Sequence, residues 1–313
     1  VIFIGIPVTY LYNLLSGIMR SLGDSKSPLI FLVISSVLNI AFDVIAIAGL
    51  HLGVAGAAGA TVLAQAISGV CCLVYLIKKF PILRVHGEEW RWRGRFVARL
   101  CSMGIPMGLQ YSITAIGSVI LQTAVNGLGS VVVASMTAGG KLSMFFCCPF
   151  DAFGSTMATY AGQNLGAGKL DRVTKGMVQC SFVAAGYSVV AAIVMILFGK
   201  SFALLFVDST EVEIIRNVAQ LLVINSLFFI PLALVNIIRF AIQGLGFGKL
   251  AIFAGVAEMV GRSIVGFGFV SHFGFVAACL ASPIAWILAD IFLIPAYAYC
   301  IRKLRPIIQE KKE

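Results

Sequence analysis

Few side chains in this 313-residue chain could do chemistry, and several of them stand alone in apolar surroundings. Asn39 and Asp43 are four residues apart, which puts both on one face of a helix. A carboxylate with neutral amide and hydroxyl oxygens suits sodium, and a carboxylate that can be neutralised suits a proton. Thr61, near the start of the following apolar run, could supply the hydroxyl. An ionised group in hydrocarbon costs at least about 2.5–3.5 kcal/mol, so an acid placed there is a functional candidate by default. The competing reading is an Asn–Asp hydrogen bond that pins two helices. Glu258 and Arg262 form a second pair four apart, with the acid on the N-terminal side, the order that favours an intrahelical ion pair. Arg239, on the preceding helix, could join it. Such a group either ties helices together as a buried network or serves in gating and substrate contact.

Other chemistries find no support. The eight cysteines form no CxxC pair, and His51, His86 and His272 are scattered, so neither a disulfide framework, a metal site nor a cofactor is expected. A membrane-embedded enzyme would need a set such as His-Glu-x-x-His or an inward Ser–His pair, and the histidines fall in loops or at the ends of apolar runs. Asp290, Asp151 and Lys141 read as polar glue between helices. Phe145, Phe146, Phe150, Tyr160, Phe228 and Phe229 could line a cavity for flat organic cations through cation–π contact, although packing is the commoner use.

The elements that must position these residues are membrane helices. The chain is 60% hydrophobic and 12% charged, against about 25% charged in a soluble domain. Its apolar runs are about 20 residues long, enough to cross roughly 30 Å of hydrocarbon. Nine spans are expected: 1–21, 28–50, 54–77, 100–125, 131–160, 177–198, 218–242, 250–270 and 275–301. Prolines 106, 149, 231, 283 and 295 should bend several of them. The chain opens at Val1 inside an apolar run with no charged segment before it, which reads as a start part-way through a longer sequence.

Charge sets the orientation. If loops alternate sides, one side receives nearly all the Lys and Arg, from Arg20 and Lys26 through Arg91–Arg99 and Lys169–Lys175 to Arg302–Lys312. The other receives Lys200 and Arg216. That asymmetry places the basic loops and the C-terminus in the cytoplasm. The net charge of +10 is thus explained by an anionic leaflet and membrane lipids, with no nucleic-acid partner. The basic stretch Lys78–Arg99, with Trp90 and Trp92, reads either as an amphipathic interfacial linker or as an ordinary loop.

An internal repeat organises the chain. The segment from Asn13 to Lys26 recurs from Asn236 to Lys249 at an offset of 223, which also carries Gly23 onto Gly246. Gly53-Val-Ala-Gly-Ala-Ala returns loosely as Gly274-Phe-Val-Ala-Ala. Both copies run in the same direction, the pattern of two bundles side by side around a central cleft.

With these residues in view, a family can be named. Tyr12-Asn13, Gly17-Ile18-Met19-Arg20-Ser21-Leu22-Gly23-Asp24-Ser25-Lys26-Ser27-Pro28 resembles the segment closing the fourth helix of MATE (multidrug and toxic compound extrusion) transporters. Gly53–Thr61 resembles the start of their sixth helix, Gly162–Lys169 the loop after their eighth, and Gln243–Gly246 the end of their tenth. The resemblance implies an all-α, two-lobe membrane bundle of twelve helices, of which about nine are present. Residues 1–78 would be half of the N-terminal lobe, 79–99 a cytoplasmic linker, 100–301 a six-helix C-terminal lobe and 302–313 a cytoplasmic tail. It implies a monomeric plasma-membrane antiporter exporting cationic or amphipathic drugs and metabolites in exchange for Na+ or H+. A lipid-linked oligosaccharide flippase of the same superfamily is the alternative. The family's cation site, an Asn-x-x-x-Asp pair with a Thr on the next helix, falls on Asn39, Asp43 and Thr61. It also uses an Asp on the first helix, outside this chain. The neutral Gln122, where repeat logic would put that Asp in the C-terminal lobe, assigns ion coupling to the N-terminal lobe.

Overall fold

Inside hydrocarbon every backbone N–H and C=O must pair within the chain, which leaves helices as the form these apolar runs can take. The computed structural model describes residues 2–83, 87 and 91–310, and every extended element among them is a helix. Trp90, most of the stretch between Leu83 and Arg91, and the basic Lys311 and Lys312 lie outside the described residues. The chain divides into two compact units, Val1–Arg93 and Gly94–Glu313.

The first unit holds α1 (Ile2–Ser21), α2 (Lys26–Val44) and α3 (Gly53–Lys79), with a π-helical turn, Ile45–Gly49, prolonging α2. Both α1 and α2 pack along α3 and scarcely touch each other. The cause is legible on α3, where Gly56, Ala60, Ala64, Ser68 and Cys72 recur every fourth residue and are all buried. Small residues in such a stripe let neighbouring helices approach closely. On the other side, α2 turns Leu29, Ile30, Val33, Val37 and Ile40 outward, as a lipid-facing helix does.

A polar clamp closes one end of this unit. In the α1–α2 turn the Asp24 carboxylate accepts hydrogen bonds from Lys79 Nζ (2.6 Å), the Ser27 N–H (3.0 Å) and Ser27 Oγ (2.7 Å). The Lys79 bond, followed by those of Ser27, holds the Asp24 carboxyl well below its ordinary range. Asp24 thereby fixes the start of α2 to the end of α3.

The second unit holds α4 (Gly94–Asn126), α5 (Ser130–Gly166), α6 (Leu170–Ala203), α7 (Val212–Leu227), α8 (Phe229–Gly244), α9 (Gly248–Ile264) and α10 (Val270–Glu310). A second π-helical turn, Val265–Phe269, joins α9 to α10. The closest pairs are α4 with α9, α5 with α8, and α9 with α10. At the centre Phe150 meets Phe229 edge-on (centroids 5.5 Å) and Tyr187 likewise (5.3 Å). Both phenylalanines are fully buried, whereas Phe145 is 76% exposed. The aromatic set expected to line a cation cavity therefore splits: Phe150 and Phe229 are core.

Six helical stretches among the described residues are long and apolar enough to cross a membrane, and a bent pair makes a seventh. That pair, α7 and α8, covers the expected span 218–242, where the chain bends by 54°. Pro231 lies in the first turn of α8, where it lacks the N–H that would have continued the ladder to the Leu227 carbonyl. The stretch Gly248–Gln309 has 62 residues, about 93 Å of helix at 1.5 Å per residue, too long for one span. It breaks at Gly274, whose φ of 57° and ψ of −135° are not helical. Together with the 20-residue α1, the described residues thus follow the nine expected spans.

The repeat recurs in the backbone. Gly23 and Gly246 have φ of 88° and 89°. The hydrogen bonds Gly23 N–H to Arg20 C=O (3.0 Å) and Asp24 N–H to Met19 C=O (3.0 Å) return 223 residues later as Gly246 to Gln243 (2.9 Å) and Phe247 to Ile242 (3.0 Å). Each is a left-handed glycine ending a helix and satisfying its last carbonyls. A Cβ in this conformation costs about 1–2 kcal/mol. Gly23→Ala and Gly246→Ala are expected to destabilise by about that amount each. Gly17→Ala, inside α1 with open space around its Cβ position, should be neutral or stabilising by up to about 1 kcal/mol. Thermal unfolding in mild detergent checks the contrast.

Candidate functional site

In the first unit, two of the three expected ion ligands are bonded to each other. Asn39 Nδ2 on α2 donates to Thr61 Oγ1 on α3 at 3.3 Å. The Thr61 hydroxyl in turn donates to the Ala57 carbonyl at 3.1 Å, so its oxygen faces Asn39 as an acceptor. Asn39 Oδ1 keeps its acceptor capacity. One turn along the same helix, Asp43 is half-buried, and its Oδ1 is shielded from solvent without a hydrogen-bond donor. The Asn–Asp hydrogen bond, the bland alternative for this spacing, is not formed among the contacts of Asp43. A shielded carboxylate oxygen without a partner is costly, and a cation or a proton is what would satisfy it. The π-helical turn begins two residues after Asp43, a local widening frequent at functional sites.

In the second unit the corresponding place is filled with charge. The offset of 223 carries Ser16, Ser35 and Asn39 onto Arg239, Glu258 and Arg262. Arg239 Nη1 donates to Glu258 Oε1 at 3.0 Å, and Arg262 Nη2 donates to Glu258 Oε2 at 3.3 Å. Arg239 Nη2 also donates to Asn236 Oδ1 at 2.6 Å. All four side chains are buried. Both Glu258 oxygens are therefore committed to arginines of the same unit, and the network ties α8 to α9. What it leaves over is Arg262 Nη1, and nearby on α10 the Oδ1 of buried Asp290; neither has a partner. Alongside, Gln243 Nε2 donates to Gln110 Oε1 at 2.9 Å, joining α8 to α4.

Other candidates are placed less suggestively. Asp151 and Lys141, expected as polar glue between helices, are exposed on α5. Gln122 donates to Asn126 Oδ1 at 2.9 Å on its own helix. Every described cysteine is a free thiol. No group of three His, Cys, Asp or Glu with metal-binding geometry occurs among the described residues. Sequence reading missed the Gln110–Gln243 bond and the Asp24–Lys79 clamp, because both join residues far apart in the chain. The repeat held a usable signal: Glu258 and Arg262 replace neutral residues at matched positions.

Comparison with known proteins now bears on this arrangement. The family model described as MatE matches residues 1–45 and 106–267, more than half of the chain. The chain belongs to the MatE family. A relative described as a probable multidrug resistance protein, YpnP of Bacillus subtilis (strain 168), is 34% identical over 213 residues, covering 67% of this chain and 46% of that protein. The multidrug resistance protein PmpM of Pseudomonas aeruginosa is 28% identical over 238 residues, covering 72% of this chain and 48% of that protein. This MatE chain spans about half the length of the curated relatives it matches. Among solved structures, a MATE protein in complex with MaL6 aligns with a TM-score of 0.88 at 19% identity, over 95% of this chain and 67% of that one. An outward-facing MATE transporter of the MOP superfamily aligns at 0.87 and 20%, over 94% and 66%. At these identities the likeness establishes the fold: an all-helical, multi-pass membrane protein of MATE type.

The buried network yields a ranking for this MatE chain. Glu258→Ala strips two buried guanidiniums of their counter-charge and is expected to destabilise by about 3–5 kcal/mol. Arg262→Met leaves the Arg239–Glu258 pair intact and should cost clearly less. Unfolding of the purified protein in detergent measures both.

Proposed function

We propose that this protein is a secondary antiporter that exports cationic or amphipathic drugs and metabolites in exchange for Na+ or H+. The relatives described as multidrug resistance proteins support the substrate class. The observation that carries the coupling is Asp43, whose Oδ1 is shielded and unpaired one turn from the bonded Asn39 and Thr61. The Asp43 carboxylate would receive the ion, with Asn39 Oδ1 and Thr61 Oγ1 as neutral ligands. Neutralising a charge in hydrocarbon changes the free energy of that region by several kcal/mol, which is enough to bias a two-state equilibrium. Substrate that favours the opposite state then weakens ion binding by the same factor, which is exchange.

The same reading assigns residues 1–78 and 100–301 to two lobes, 79–99 to a linker and 302–313 to a tail. It places a monomer in the plasma membrane with its basic loops and C-terminus in the cytoplasm, as the charge asymmetry favours. Glu258 and Arg239 brace the C-terminal lobe. Arg262, through its spare Nη1, is the group of that network available for gating or substrate contact.

In proteoliposomes with an imposed sodium or proton gradient, Asp43→Asn should abolish gradient-driven export while expression and insertion stay intact. Asn39→Ala and Thr61→Ala each remove one neutral oxygen and should weaken ion affinity by about 2–10-fold. Export by Asp43→Asn at the wild-type rate would make Asp43 structural and end this assignment.

A further inference from the structure

A groove of about 500 Å3 runs between α6 and the distal part of α10, away from every residue of the ion site. Thr174 lines it from α6; Tyr297, Ile301, Arg302, Arg305 and Gln309 line it from α10. Its lining is of two kinds: apolar Ala298, Ile301 and Pro306, and the guanidiniums of Arg302 and Arg305. Arg302 and Arg305 are three residues apart and so share a helix face. Both are exposed, and neither has a carboxylate within ion-pair distance among the described residues. Lys303 between them points elsewhere, its Nζ lying 5.8 Å from the ring centres of both Phe247 and Tyr299. The Tyr297 hydroxyl is shielded and lies beside Thr174. On α6, Asp171 shares the face of Thr174, and Arg172 and Lys175 stand on neighbouring faces, so both signs of charge occur at this end of the helix.

Depth narrows the occupant. The apolar run of α10 ends at Ile301 and the basic stretch begins at Arg302, with Tyr297 and Tyr299 just before it. Tyrosines at such a boundary mark the level of lipid headgroups. A ligand here must offer an anion to two arginines and alkyl chain to the apolar side chains beside them. Guanidinium is well matched to phosphate through paired N–H donors. We propose that this groove binds one anionic phospholipid, its phosphate held by Arg302 and Arg305 and an acyl chain laid along Ala298 and Ile301. A zwitterionic choline lipid brings a cation to the same two arginines and is disfavoured; glycerophosphate brings the anion without the chain.

Thermal unfolding of the purified protein in neutral detergent tests this with added lipid. Phosphatidylglycerol at a hundredfold excess over its Kd should raise the midpoint by roughly 4–8 °C. Phosphatidylcholine of the same chains and glycerophosphate should give little or no rise. The double variant Arg302→Gln/Arg305→Gln should lose the rise, whereas Lys303→Gln should keep most of it. All these side chains are exposed, so the variants should fold. An equal rise in the double variant, or an equal rise with phosphatidylcholine, overturns the proposal. A full rise with glycerophosphate alone also overturns it, because the groove would then be a free-anion site.

Discussion

Leaving a polar or charged group without a partner is expensive in an apolar medium, and each feature of this molecule is a response to that expense. The backbone answers it by forming helices in every extended element among the described residues. Helix ends answer it with left-handed glycines such as Gly23 and Gly246, which return the last carbonyls to N–H donors. Asp24 answers it outside the apolar spans with Lys79 and Ser27. Glu258 answers it inside with two arginines. Among the described residues two acids keep a shielded oxygen without such an answer, Asp43 in the first unit and Asp290 in the second. What sets Asp43 apart is the pair of neutral oxygen-bearing side chains one turn away, Asn39 and Thr61, and the proposed ion site rests on that combination.

The two units show how one backbone plan can carry two electrostatic tasks. Their matched turns have nearly the same φ and the same hydrogen bonds, and each second helix ends in a π-helical turn. Yet the positions held by Ser16, Ser35 and Asn39 in one unit are held by Arg239, Glu258 and Arg262 in the other. The second unit pairs Glu258 with two arginines and gains a strut between α8 and α9, with Asp290 Oδ1 left outside the network. The first keeps neutral oxygens beside an uncommitted carboxylate, a composition that can accept a small cation or proton and release it again.

Much of this was legible in residue types and spacing. Long apolar runs fix where helices must be, and a spacing of four places Asn39 beside Asp43 and Glu258 beside Arg262. The Glu258–Arg239 pair was legible as well, because intramembrane charges rarely stay alone. What spacing does not encode is which side of a helix faces its neighbours. Phe150 and Phe229 were candidates for a cavity and proved to be core, because aromatic content is the same for either use. Asp151 and Lys141 were expected between helices and lie on an exposed face for the same reason. The bend before α8 was signalled by Pro231, but a proline in the first turn of a helix and one inside it look alike in a run of apolar residues. The π-helical turns leave no mark that periodicity can find, since five residues of shifted register are lost in a window of twenty.

The claim on which the functional reading stands is that the Asp43 carboxylate itself meets the coupling ion. An infrared difference spectrum of the reconstituted protein, recorded on addition of Na+ and separately on lowering pH, reads carboxylates directly. An ion site at Asp43 requires a carboxylate band that shifts or disappears with one of these ions and is absent from the difference spectrum of Asp43→Asn. The same band change surviving in Asp43→Asn would place the ion on another acid and contradict the assignment.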